Sequence, residues 1–422
     1  MDVTGIKNSV TQLNCHKVKE MMKELTEHGI IERKRNMNEE TEEEMSARVV
    51  AQGSTLFGGN LYNVVRKSAK DEENILLSPT SASIVLAMAT VGAKGDAAEE
   101  MIKGLELPER RDILVGYKEV LGVLLDNNSC KLNMANELFV QQGYRLDESY
   151  VEALEMCFYT EPTTIDFAQV EETRGLINGW VEQETGNKVV NMIPEGILSE
   201  LTKMMLVNAL HFKGSWAEEF DEKMTTEQPF HVSGTKIIMA KLMNRTMKVR
   251  ATYLQEIDAD IVELPYRGRR LGMYVVLPRQ KYGLDRLEDK ISAMDINELF
   301  GKAYMYKELD VFLPSFKLEQ TIRLTEYLKQ LGMNKMFGEE ADFSIVAGAK
   351  GELFISEVMQ KVFIEVNEEG TEAAAATGVA FRKKCAPEPK TEFKCDHPFL
   401  FYIRDNWSEM ILFSGRMVDP ST

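Results

Sequence analysis

The sequence predicts a mixed α/β fold, and three observations carry that expectation. Val358, Gln360, Val362, Ile364 and Val366 alternate with Met359, Lys361, Phe363 and Glu365, the period-2 signature of a strand with one face more buried than the other. An apolar strand through Asn74-Ile75-Leu76-Leu77 stops at Ser78-Pro79, and the run Ile84 to Ala89 then reads as a buried helix, with proline at the helix start where a missing N–H costs nothing. Further apolar strand segments recur towards the C-terminus without an internal repeat. A chain of 422 residues accommodates several average domains or one large mixed one, and a 44% hydrophobic content supplies a sizeable core.

Residues 1–50 differ from the rest. They are dense in charge, hold no Phe, Trp or Tyr before position 49, and carry Val10, Leu13, Val18, Met21, Met22 and Leu25 at roughly helical spacing. They read as a charged extension, mobile or partly helical, ahead of one domain at 51–422. Within that domain a helix is expected through Leu56 to Val65 and strands at Lys203 to Phe212, Asp260 to Leu264, Met273 to Leu277 and Leu309 to Leu313. Thr321 to Leu331 reads as helix. Phe399 to Ile403 and Met410 to Phe413 read as an apolar hairpin around Asp405-Asn406.

Charge and motifs narrow the function by exclusion. A net charge of -17 argues against a phosphate-backbone binder, although Arg267 to Arg270 and Arg382 to Lys384 are local basic patches. No apolar stretch is long enough to span a membrane. The five cysteines, Cys15, Cys130, Cys157, Cys385 and Cys395, form neither a disulfide framework nor a metal knuckle, and the start of the chain lacks a secretory apolar core. A cytoplasmic setting is expected, with the extracellular space as the alternative. Of the five histidines, His211 in an apolar strand and His397 before Pro398 read as structural. No nucleophile elbow, phosphate loop or zinc-protease motif occurs, so no enzyme, cofactor or metal is expected.

The segment that follows the strand ending at Val366 is unusual for a loop. Glu368-Glu369-Gly370-Thr371-Glu372 leads into Ala373, Ala374, Ala375 and Ala376, with no proline before Pro387. Small side chains fit between two strands without a clash, although composition alone favours a linker or a short helix.

Six further segments, in order, settle how that loop is read. Asn74-Ile-Leu-Leu-Ser-Pro-Thr-Ser81, Gly92-Ala-Lys-Gly95, Asn178 to Lys188, Leu206 to Trp216, Leu313-Pro-Ser-Phe-Lys317 and His397-Pro-Phe-Leu-Phe401 resemble the serpins, over residues 51–422, and the loop is similar to that of the ovalbumin-like branch. The resemblance implies three β-sheets, about nine helices and an exposed reactive-centre loop, here 368–395. It implies a monomeric inhibitor that acts as a suicide substrate. The protease attacks the loop and forms an acyl-enzyme, and the cut loop enters the largest sheet as a new strand.

The residues agree with that mechanism. Alternate positions Thr371, Ala373, Ala375, Thr377 and Val379 are small or β-branched, as an inward-facing set must be, and Glu372 falls on the solvent side. At about 0.5 to 1.5 kcal/mol per hydrogen bond, a dozen inserted residues supply on the order of 10 kcal/mol. By family register the scissile residue lies 16 positions after Glu368, at Lys384, followed by Cys385. Lysine suits a trypsin-like serine protease. Phe381, Arg382 and Lys383 complete the bait, and the basic run keeps a furin-like protease open as an alternative target. A cysteine protease, or a non-inhibitory binding or chaperone-like role, remains a further alternative. The resemblance also implies a buried polar cluster where the sheet opens, made here from Asn74, Ser78, Ser81, Asn178, Asn208 and Gln360. Serpins usually carry histidine at the last of these positions. Gln360 is expected to bond with Asn208, Ser78 or Ser81. Cys385 and Cys395 are read as free thiols.

Overall fold

A computed structural model describes residues 41–107, 110–125, 130–301, 305–369 and 391–421. Its strands are β1 (Ile75–Leu77), β2 (Cys130–Gln141), β3 (Thr163–Ile165), β4 (Met204–Gly214), β5 (Thr226–His231), β6 (Ile237–Leu254), β7 (Ala259–Pro265), β8 (Leu271–Pro278), β9 (Met305–Pro314), β10 (Phe316–Arg323), β11 (Ile355–Val366), β12 (Thr391–Lys394), β13 (Phe399–Asp405) and β14 (Ile411–Met417). Nine α-helices lie among the described residues: α1 (Glu42–Ser68), α2 (Pro79–Gly92), α3 (Gly95–Gly104), α4 (Arg110–Leu125), α5 (Glu148–Phe158), α6 (Val170–Glu184), α7 (Leu284–Ile291), α8 (Ile296–Gly301) and α9 (Thr325–Gln330).

Hydrogen bonding joins the strands into two networks among the described residues. One has five strands in the order β10-β11-β4-β2-β3, and the other has nine, β1-β14-β13-β8-β7-β6-β9-β12 with β5 on β6. The resemblance implies three sheets, and the difference has a simple cause. The 18-residue β6 pairs with β5 and β9 along most of its length and with β7 at its end, so one strand serves two sheets and fuses them.

Helix α2 is the layer between the two networks. All its residues are buried, and it packs on β14 on one side and on β2 and β4 on the other. Its start is set locally: Ser78 takes an extended conformation and its hydroxyl accepts from the Ser81 N–H, while Pro79 occupies the first helical turn.

Two expectations shift. Helix α1 begins at Glu42, ahead of the anticipated Leu56, because Ser46, Ala47 and Val50 bury the same face as Phe57 and Leu61. The stretch expected to be helical from Thr321 is helical only over Thr325–Gln330. Thr321, Ile322 and Arg323 instead pair with Lys361, Gln360 and Met359 as the end of β10, whose Phe316, Leu318 and Ile322 are buried while Lys317, Thr321 and Arg323 are exposed, a period of two.

Candidate functional site

The five-stranded sheet contains a parallel seam. Strand β11 pairs antiparallel with β10 but parallel with β4, and β4 in turn is antiparallel to β2. A strand running back between β11 and β4 would be antiparallel to both, which is the stronger ladder per residue.

Across that seam Gln360 lies opposite Asn208, and both side chains are fully buried. Gln360 Nε2 donates to Asn208 Oδ1 at 2.7 Å and to the Ser78 carbonyl at 2.9 Å, while Gln360 Oε1 accepts from the Ser78 N–H at 3.1 Å. Asn208 Nδ2 donates to Ser81 Oγ and Asn136 Oδ1, and Ser81 Oγ donates to Asn136 at 3.1 Å. Ser78 and Thr80 hydroxyls reach the Leu412 and Ile411 carbonyls, both at 2.8 Å. The first turn of α2 thus clamps β11, β4 and β2 on one side and the β14 region on the other. Each amide has several partners, as burial demands.

Sequence reasoning placed four of these residues together and missed a fifth. Asn136 is the polar member of a face of β2 otherwise occupied by Leu132, Met134, Leu138 and Val140, and that alternation was the available signal. Asn74 and Asn178 bond elsewhere. Asn74 precedes β1 and fixes the C-terminal residues, accepting from the Val418 and Asp419 N–H groups and donating to the Asp419 carbonyl. Asn178 sits on α6, which covers the opposite face of the sheet with Met205, Val207 and Met359. There its side chain exchanges two hydrogen bonds with the Ile193 backbone. Lys361, also on that face, donates to the Val190 carbonyl at 2.6 Å and pairs with Glu319.

The chain leaving β11 is held at the top of the seam. Trp216, just beyond β4, donates from Nε1 to the Asn367 carbonyl at 2.8 Å and from its backbone N–H to the Glu369 carbonyl at 3.3 Å. Phe220 N–H bonds the Glu368 carbonyl, and Thr225 Oγ1 donates to the Glu368 carboxylate at 2.6 Å. Trp216 in turn stacks on Tyr266 with centroids 4.6 Å apart. Residues Gly370, Thr371, Glu372, Ala373, Ala374, Ala375 and Ala376, and Phe381, Arg382, Lys383, Lys384 and Cys385, lie outside the described residues. Beyond them the chain re-enters as β12, parallel to β9, and Cys395 is a buried free thiol whose pKa burial pushes well up.

The histidines have structural surroundings. Burial first, and then the charges of Lys188 and Lys213, push His211 down to about 4, and its ring lies 5.3 Å from that of Phe363. His397 bridges Asp396 and the Pro278 carbonyl, both at 2.7 Å. Among the described residues no group of three metal-binding side chains occurs, and no helix is long and apolar enough to cross a membrane.

Glu137, beside Asn136 on β2, is a buried acid. Burial raises it to about 8 against the lowering effect of Thr160 Oγ1 at 3.2 Å and the Leu138 N–H at 3.1 Å. In the unfolded chain it ionises near the usual 4.5, so between those values the folded state holds a proton that the unfolded state has lost. This contribution to stability is therefore present at low pH and lost as pH rises towards 8. Glu137→Gln is expected to be nearly neutral at pH 4.5 and stabilising, by up to a few kcal/mol, at pH 8. Urea midpoints of both proteins at the two pH values check this.

Three comparisons bear on the whole arrangement. A family model described as Serpin (serine protease inhibitor) matches residues 52–420. Human Serpin B3 is 34% identical over 390 residues, covering 88% of this chain and 99% of that protein. The bovine (Bos taurus) leukocyte elastase inhibitor is 37% identical over 357 residues, 82% of this chain and 93% of its own. The crystal structure of Serpin48, titled a highly specific serpin in the insect Tenebrio molitor, superposes with a TM-score of 0.80 at 33% identity, covering 91% of this chain and 100% of that one.

Proposed function

Because this chain belongs to the serpin family of serine protease inhibitors, we propose that it traps trypsin-like serine endopeptidases covalently, with cleavage at Lys384-Cys385. The observation that carries the reading is the parallel seam between β11 and β4, which begins where Glu368 and Glu369 leave the sheet. After acylation, residues 370–384 stay joined to β11 while their bond to Cys385 is broken, so entry between β11 and β4 becomes open to them. Entry breaks the Gln360–Asn208 bond and replaces one parallel ladder with two antiparallel ones. The protease, esterified to Lys384, is carried with the inserting strand before water hydrolyses the ester.

Target choice follows from the bait. A lysine side chain fits a primary pocket with a carboxylate at its base, whereas an elastase pocket is small. The elastase named for the bovine relative is therefore not carried over to this chain.

Incubation with trypsin is expected to give an SDS-stable complex with the mass of protease plus the chain up to Lys384, and to release a peptide beginning at Cys385. Cleavage at that bond with no complex would make the protein a substrate or a non-inhibitory member.

A further inference from the structure

The row of residues across β9, β6 and β7 builds a cleft. Tyr306, Arg250 and Glu263 stand opposite one another on the three strands, and Lys248 lies two residues back on β6. The turn between β7 and β8, where Gly268 and Arg269 both take positive φ, adds Arg269, and Asn406 also lines the cleft. The cleft is open to solvent, with a volume of about 210 Å3, room for several waters.

Charge is what makes this cleft unusual in a protein of net charge -17. Its lining carries Lys248, Arg250 and Arg269 against the single carboxylate of Glu263. That carboxylate is already engaged, by Arg250 at 3.0 Å and by Asn406 Nδ2 at 2.8 Å. Neighbouring acids are also committed: Glu219 pairs with Arg267 at 2.9 Å, and Asp405 with Arg270 at 2.8 Å. Glu308 stands opposite Lys248 in the strand register without pairing with it, and Lys248 instead lies 5.9 Å over the Tyr306 ring. Among the described residues neither Lys248 nor Arg269 makes an ion pair. Arg267 and Arg270, which the sequence groups with Arg269 as one basic patch, are consumed by structural pairs.

We infer that this cleft, lined by Lys248, Arg250, Arg269, Tyr306 and Asn406, binds a doubly charged tetrahedral oxyanion, a sulfate or phosphate group. Two uncompensated cations call for two negative charges, which a carboxylate lacks. The guanidinium fork of Arg269 suits two oxygens of one tetrahedral face, Lys248 acts as a point charge, and the Tyr306 hydroxyl is a further donor.

Calorimetric titration of the full chain at low ionic strength tests this with inorganic sulfate, inorganic phosphate, phenyl phosphate and acetate. Sulfate and phosphate are expected to saturate one site and acetate to give no saturable heat. Phenyl phosphate binding should tighten as its second proton leaves near pH about 6 and inorganic phosphate binding as its own leaves nearer neutrality, while sulfate binding stays level. Phenyl phosphate binding as tightly as phosphate assigns the site to phosphate esters, and its exclusion assigns the site to the free ion. Lys248→Gln and Arg269→Gln should each weaken sulfate binding by about tenfold, and Arg267→Gln, whose partner is Glu219, should leave it unchanged. Absence of saturable binding by either dianion, or wild-type affinity in the Lys248→Gln/Arg269→Gln double variant, would overturn the inference.

Discussion

Ala373→Arg should convert the protein from an inhibitor into a substrate. An inserted Ala373 would face inward, towards a layer in which Gln360, Asn208 and Ser81 already satisfy one another. A guanidinium there has no carboxylate waiting, and burying an unpaired charge costs several kcal/mol. If about 4 kcal/mol of that reaches the insertion barrier, insertion slows about a thousandfold and hydrolysis of the acyl-enzyme wins. On an SDS gel with trypsin the complex band should vanish while the cleaved band remains. Glu372→Arg places the same charge one residue earlier, on the opposite face, where Phe363 and Glu365 at the end of β11 are only half-buried, and should keep the complex. Equal behaviour of the two variants would refute the inward-outward alternation.

The second large effect is expected from Asn208→Ala. The truncation removes an acceptor from Gln360 and a donor from both Ser81 and the half-buried Asn136, with Gln360, Ser81 and Asn208 itself fully buried. Unsatisfied buried groups cost about 1 to 3 kcal/mol each, so a loss of roughly 3 kcal/mol is expected. Since the native state of an inserting protein is kinetically held, the sharper readout is a rate. Inhibitory capacity during incubation at elevated temperature should decay on the order of a hundredfold faster than in the wild type. Ser81→Ala, which removes only one hydroxyl from the same cluster, should have a smaller effect. An unchanged decay rate in Asn208→Ala would mean that the seam is held elsewhere.

Much of this geometry was legible in residue order, for identifiable reasons. Strands with strong apolar runs, such as β4, β7, β8 and β13, appear near where the patterning places them because each is buried throughout or nearly so. The end of β10 was misjudged because Ile322, Leu324 and Leu328 also fit helical spacing, and only pairing with β11 decides between the two periods. Gln360 and Asn208 are named together by the family resemblance, and the apolar neighbours Val358 and Val362 say only that Gln360 is buried. That they stand opposite each other across a parallel junction is not a property of either segment, since a period of two says nothing about which strand lies alongside. Asn178 shows the converse limit: its motif identifies it, but the face of the sheet it serves depends on where α6 packs. The cationic cleft was hidden for a similar reason. Its members come from β6, β9, the turn after β7 and the turn after β13, and nothing in the residue order says that the adjacent arginines at 267 and 270 pair with acids while Arg269 does not.

The position of the last strands has a consequence for how the molecule is made. β14 pairs with β1, joining Arg416 to Ile75, and β13 and β14 lie inside the nine-stranded network with Phe399, Phe401 and Phe413 fully buried. While the chain is still being synthesised, β1 and β8 have no partner on that flank. The hydrophobic centre can close only after β14 has left the ribosome, a highly non-local and therefore slow step. Until then the nascent chain presents open strand edges, so production of this protein should depend more on chaperone protection late in translation than early.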